Sequence, residues 1–171
     1  MPRCSRLPAH VFGKRRSRRG FTLIELLVTL GIVAVLAAMV VPIAQIASQR
    51  QKEAELRWAL REIRGGLDAY KRASDGGRID RKAGATGYPP NLEILAEGVA
   101  DKRSLKREKI YFLRRIPRDP FHTDSTTSAS ETWQLRSYAS EPDAPEPGDD
   151  VYDVYTSSVV TGLNGVPLRE W

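Results

Sequence analysis

The chain has 171 residues, 27 Lys and Arg against 21 Asp and Glu, a net charge of +6 and a sequence pI near 9.7. That length holds one domain of ordinary size, or a small domain with an anchor. A 41% hydrophobic share beside 28% charged residues excludes a wholly disordered chain and a polytopic membrane protein. The average hides a strong segregation: residues 1–20 carry +7, 21–49 carry −1, 50–118 carry +8 and 119–171 carry −8. Without the first twenty residues the rest is −1. The basic residues of 50–118 alternate with acids and lack an interleaved aromatic binding motif, so they read as a solvated face, and no nucleic acid is expected. Cys4 is the single cysteine, so no disulfide within the chain can form.

In chain order the first element is an apolar helix. Leu26 to Ala44 contain no charged residue, and nineteen residues at 1.5 Å each give about 28 Å, enough to cross a bilayer core. The basic cluster Lys14–Arg19 precedes it, which by the positive-inside rule keeps that end cytoplasmic and exports the C-terminal part. An ordinary signal peptide would end in small residues at a cleavage site after the apolar run. Here the helical pattern continues instead. Glu25 stands near the start of this helix, where a carboxylate is costly and demands a positive partner. No Lys or Arg lies between Phe21 and Gln49. A free amine at Phe21, one helical turn away, or the same amine of a neighbouring chain would serve, and either requires cutting between Gly20 and Phe21.

The run RRG–FTLIELLVTLGIVAVLAAMVVP resembles the N-terminus of type IV pilins and pseudopilins, through Gly20, Phe21, Thr22, Leu23, Ile24, Glu25, Leu26, Leu27 and Pro42. The resemblance implies a leader, residues 1–20, removed by a prepilin peptidase that cuts after Gly20 and methylates the Phe21 amine. It implies a segment 21–46 that is first a membrane anchor and then the core of a filament, where Glu25 pairs with a neighbour's Phe21 amine and sets axial register. Gly31, Ala34, Ala37 and Ala38 would permit close helix approach. Pro42 removes one backbone hydrogen bond and is expected to kink or locally melt the helix.

The helical pattern then turns amphipathic. Leu56, Leu60, Ile63, Leu67 and Tyr70 form one apolar stripe, read as core packing, with Glu53–Arg57 and Asp68–Arg72 as i,i+4 pairs. Asp75-Gly76-Gly77 ends the helix, so a single helix over 21–74 would measure about 80 Å. A loop follows to Tyr88-Pro89-Pro90, Asn91 caps a short helix to about Glu97, and 98–109 reads as polar loop. Three short strands are expected: Tyr111-Phe112 leading to 116–121, then 133–138, then 151–156, with the acidic, proline-rich loop EPDAPEPGDD between the last two. The expected fold is α+β: a long N-terminal helix packed on a small C-terminal antiparallel sheet, with residues 47–171 as the head.

The order Tyr88-Pro89, Tyr111…Ile116-Pro117-x-Asp119-Pro120-Phe121, Trp133…Tyr138 and Asp153-Val154-Tyr155-Thr156 is similar to the major, G-type pseudopilin of type II secretion. That family often binds calcium in an Asp-rich C-terminal loop. Here the end reads TGLNGVPLREW, where Asn164 is a weak remnant of that pattern beside Arg169. Calcium takes six to eight oxygens, several from carboxylates. The loop is therefore expected to be calcium-free, packed through Leu168 and Trp171, and no other cofactor is expected.

The function that follows is a structural one: a subunit of the periplasmic pseudopilus, with itself, other pseudopilins, the prepilin peptidase, the inner-membrane platform and the assembly ATPase machinery as partners. A type IV pilus subunit in adhesion, motility or DNA uptake is the alternative. An enzyme is not supported: beyond the leader only His122 remains among the histidines, and neither a catalytic constellation nor a phosphate-cradling loop is present.

Overall fold

The computed structural model describes residues 20–171. The leader, with Cys4, His10 and the basic cluster, lies outside the described residues. The elements in order are α1 (Leu23–Asp75), α2 (Glu93–Glu97), β1 (Val99–Ala100), β2 (Lys109–Ile110), β3 (Trp133–Arg136) and β4 (Asp153–Thr156), with single 3-10 turns at Ser130–Thr132 and Leu168–Glu170. The chain divides into two units, one to Ile43 and one from Ala44 to Trp171.

In the first unit every described residue is exposed, from Phe21 at 82% and Leu23 at 79% to Ile43 at 66%. The helix passes through Pro42 without interruption. Of the expected kink or local melting, the melting does not occur, because proline removes a single donor, the one that would reach the Ala38 carbonyl. This stretch is long and apolar enough to cross a membrane.

The second unit holds the core. The predicted stripe is buried throughout: Leu56, Leu60, Ile63, Leu67 and Tyr70 are joined by Ala59 and Ala73. Around them close Leu92, Leu95, Leu113, Trp133, Val151, Val154 and Leu168. Burying a Leu, Ile or Val side chain stabilises by about 1.5–3 kcal/mol, so this cluster is the main source of the unit's stability. Gly66 lets the chain at Leu113 approach the helix, since a Cβ there would stand 3.0 Å from the Leu113 Cγ. At the helix end the Arg78 N–H reaches the Ala73 carbonyl and Gly77 takes φ +70°, a glycine C-cap as the sequence predicts. Asn91 Oδ1 accepts the Ile94 N–H at 3.2 Å, capping α2.

The antiparallel sheet departs from the expected three strands. There are two separate two-stranded ladders, β1 with β2 and β3 with β4. The first lies in the 98–109 stretch read as loop, pairing Val99 with Ile110 and Ala100 with Lys109. Residues 111–121, read as strand, are not one. The Phe112 and Leu113 N–H groups both go to the Leu95 carbonyl, and Pro117 and Pro120 remove ladder donors. The turn here is built on Asp119, which is buried and accepts the Phe121 N–H and the Thr156 hydroxyl. Trp133 Nε1 donates to the Pro117 carbonyl at 2.8 Å, fixing the turn to β3. β3 and β4 pair Trp133 with Thr156 through Arg136 with Asp153, shorter at one end of each strand than the alternation predicts.

Two ion-pair expectations divide. Glu53–Arg57 forms at 3.7 Å, but Asp68–Arg72 does not; Lys71 pairs with Asp75 at 2.7 Å instead. Arg78 meets Asp101 at 2.6 Å, and this hydrogen bond, with the Arg103 N–H, holds the Asp101 carboxyl below the usual carboxylate range.

Candidate processing and assembly site

Gly20, Phe21 and Thr22 precede the first turn of α1 as non-helical chain. Gly20 is exposed, and among the described residues a Cβ on it would meet nothing within 4 Å. The fold therefore imposes no glycine here. Thr22 and Glu25 make a reciprocal pair: the Glu25 N–H donates to Thr22 Oγ1 at 3.2 Å and the Thr22 N–H to Glu25 Oε2 at 3.4 Å. This is a capping box, which satisfies two of the orphan donors at a helix start and places a carboxylate at the positive end of the helix dipole. No cationic side chain of its own helix faces Glu25; the local partner is Thr22, through hydrogen bonds, which a search for positive charge alone does not find. The T-x-x-E spacing before an apolar run was the signal that could have found it.

Glu25 is the sole charged residue between Gly20 and Arg50. The carboxylate uses Oε2 in the box and remains exposed, so a cation can still approach it. Gly31 has open space where a Cβ would stand, and its surroundings are exposed apolar side chains. Pro42 is exposed on the same helix, seventeen residues beyond Glu25 and not part of the box.

Asn164 belongs to the second unit, in a C-terminal loop that α1 holds by polar contacts. Its Oδ1 accepts the Val166 N–H at 3.1 Å. Glu53, 4% exposed, accepts the Leu163 N–H at 2.8 Å and the Gln49 amide at 3.0 Å through the same oxygen. Gln49 also donates to the Thr161 carbonyl at 3.2 Å. Arg57 lies over the Trp171 ring at 4.2 Å, while Arg64 holds Asp153 at 2.7 Å and the Trp171 main-chain oxygen at 2.8 Å. Leu168 is fully buried, as its packing role requires, and Trp171 is half-buried. A shallow cavity of about 320 Å³ remains between Arg57, Arg61, Arg64, Asn164 and Trp171. Its lining carries guanidinium groups, the wrong charge for a cation. Among the described residues no group of three or more His, Cys, Asp or Glu could hold a metal ion. Within the loop, Asn164 Oδ1 is taken up by the Val166 N–H and the Thr161 carbonyl by the Gln49 amide.

The family described as Prokaryotic N-terminal methylation motif matches residues 15–41. Three relatives carry the name Type II secretion system core protein G. The one from Klebsiella pneumoniae is 27% identical over 136 residues, 78% of this chain and 92% of the relative. The one from Klebsiella michiganensis is 28% identical over 145 residues, covering 81% and 94%. The one from Pseudomonas aeruginosa is 31% identical over 112 residues, covering 63% and 71%. No solved structure matches significantly. The methylation motif at the start of an exposed apolar helix, and this likeness running through the head, lead to one conclusion: the chain belongs to the type II secretion system core protein G family and is a pseudopilin subunit.

Proposed function

We propose that the precursor is cut between Gly20 and Phe21, that the new Phe21 amine is methylated, and that the mature chain polymerises with copies of itself and with other pseudopilins into a periplasmic pseudopilus. Its role is structural rather than catalytic. The observation that carries this reading is Glu25 as the one charge on an otherwise uncharged stretch that is exposed along its whole length to Ser48. Water does not favour such a surface; lipid and neighbouring apolar helices do. The apolar helix and the family fit anchoring in the inner membrane. The basic cluster Lys14–Arg19 supports a cytoplasmic N-terminus and a periplasmic head. The prepilin peptidase, the inner-membrane platform and the assembly ATPase are the partners this role needs.

In the precursor, the capping box gives Glu25 a local partner while the leader is attached. After cleavage the carboxylate faces a cation supplied by a neighbour's Phe21 amine, which sets the axial position of an incoming subunit. The relatives' names favour secretion over the pilus alternative. The head needs no calcium in this reading, because Glu53, Arg57 and Arg64 close the C-terminal loop from α1.

Because the fold imposes no glycine at position 20, a Gly20→Ala chain should insert and fold normally yet stay uncut. Immunoblotting and mass spectrometry of membranes from cells with the peptidase check this. Mature-sized chain with a methylated Phe21 from that variant would overturn the cleavage assignment.

A further inference from the structure

The head carries an apolar surface that its own core does not use. Residues 154–168 contain no charged side chain, in a chain that is 28% charged. Within this run Val159 is 89% exposed, Val160 41%, Leu163 46% and Val166 39%. The loop is a built hairpin: the Gly162 N–H reaches the Val166 carbonyl at 2.9 Å, the Leu168 N–H reaches the Val160 carbonyl at 3.0 Å, and Thr161 bridges Pro167. Gly162 is required there, since a Cβ would stand 2.7 Å from both Asn164 Oδ1 and the Trp171 ring. These apolar side chains are thus presented outward by a fixed backbone. Leu105 is exposed too, but it stands singly among Lys102, Arg103, Lys106 and Arg107 and calls for no partner.

The loop's attachment places it. Gln49 donates to Thr161 and Glu53 accepts from Leu163, so the hairpin is tied to the turn of α1 that begins at Gln49. Gln49 is the last residue of the uncharged run, and Arg50 is the first charge after Glu25. Ile46, 45% exposed, lies three residues earlier, about 4.5 Å along the axis. An interfacial element buries its apolar face about 5–10 Å into the boundary between headgroups and acyl chains. Arg50 and Lys52, both exposed, stand at the same level of the helix and suit anionic headgroups.

We propose that the 159–166 hairpin is a second membrane contact: in the anchored subunit it lies in the headgroup layer of an anionic phospholipid bilayer, with Val159, Leu163 and Val166 against the acyl boundary and Arg50 and Lys52 against phosphates. This rests on the anchor reading above. It gives the unassembled head a set height at the membrane surface, which must be released when the subunit enters a filament.

The test uses the full chain with Cys4→Ser, labelled with an environment-sensitive fluorophore at Leu163→Cys or, separately, at the more exposed Val159→Cys. Ala144→Cys in the acidic loop is the solvated control and Val35→Cys the anchor control. The proteins are reconstituted in phosphatidylcholine–phosphatidylglycerol vesicles holding a lipid with a quencher near its headgroup or, for the Val35→Cys control, a lipid with the quencher at its acyl-chain end, since Val35 is the midpoint of the 26–44 run. Both hairpin labels should be quenched severalfold more strongly than the Ala144→Cys label, because an element buried about 5–10 Å into the boundary sits at the depth of the quencher. The difference should shrink in phosphatidylcholine alone. Quenching at Val35→Cys with neither hairpin label above the control overturns the hairpin contact and leaves the anchor standing. No quenching at Val35→Cys overturns the anchor reading itself. Hairpin labels shielded only in assembled filaments assign the surface to a neighbouring subunit and overturn the lipid contact.

Discussion

Residues 20–43 and 44–171 draw on one kind of side chain for opposite ends. In the first stretch Leu, Ile and Val are more than half exposed, Leu36 at 57% and Val41 at 59%; in the second, Leu56, Ile63 and Leu95 are at 0%. Both stretches contribute to the same helix, α1. Composition alone therefore does not say which part of a helix belongs to the core of its own domain. The difference lies in the spacing. Apolar residues on every face leave no polar side to turn to water, so the partner must be lipid or other helices. Apolar residues at intervals of three and four leave a polar face, and the partner is the head's own loops and strands.

The largest expected effect sharpens this contrast. Ile63→Ala should cost about 2–5 kcal/mol, because it opens a cavity in a closed core. Val35→Ala should leave the melting of the head unchanged. Thermal unfolding of both variants in detergent, followed by tryptophan fluorescence, makes the comparison. Equal losses would mean that the two stretches do not differ as described.

Next comes Glu53. Replacing it with Ala removes the buried carboxylate that accepts the Leu163 N–H and the Gln49 amide, a loss of about 1–3 kcal/mol. Melting should fall accordingly, and added calcium or EGTA should not move the wild-type curve. A calcium-dependent shift would show that the loop is held by an ion rather than by α1.

Thr22→Ala removes half of the capping box and should loosen only the first turn of α1, by about 1 kcal/mol. Amide exchange in micelles should rise at Leu23 to Leu26 while the head's amides stay protected.

The smallest effect is on pH dependence. The Asp101 carboxyl is held low by Arg78, so its contribution to the head is present above the ordinary carboxylate range and is lost as pH falls through its lowered value. Asp101→Asn should flatten the acid limb of the stability profile slightly, measured by melting across acidic pH.

Much of the N-terminal motif is legible in the chain because its signals are local. Gly20, Phe21 and Glu25 stand at fixed short spacings, the capping box is a four-residue pattern, and the helix stop at Asp75-Gly76-Gly77 needs only neighbouring residues. The stripe from Leu56 to Tyr70 was equally readable, since helical periodicity maps directly onto a face. The strands are only partly so: Trp133–Arg136 and Asp153–Thr156 pair where their alternation predicts, but the third does not form. Residues 111–121 have strand composition, but two prolines and a buried Asp119 turn the chain, while the polar stretch 98–109 pairs because its ends meet at Val99 and Ile110.

By itself, then, the sequence determines the apolar segment, the N-terminal methylation motif, the amphipathic helix and the deficit of carboxylates in the C-terminal loop. Only the tertiary structure decided how charges are matched across the head. Glu53 accepts from Leu163, 110 residues away, and Arg64 holds Asp153, 89 residues away. Local pairs such as Glu53–Arg57 follow from helix geometry alone. Which distant donor a buried carboxylate meets depends on how the loops close over the core, and burial then makes that choice costly to change.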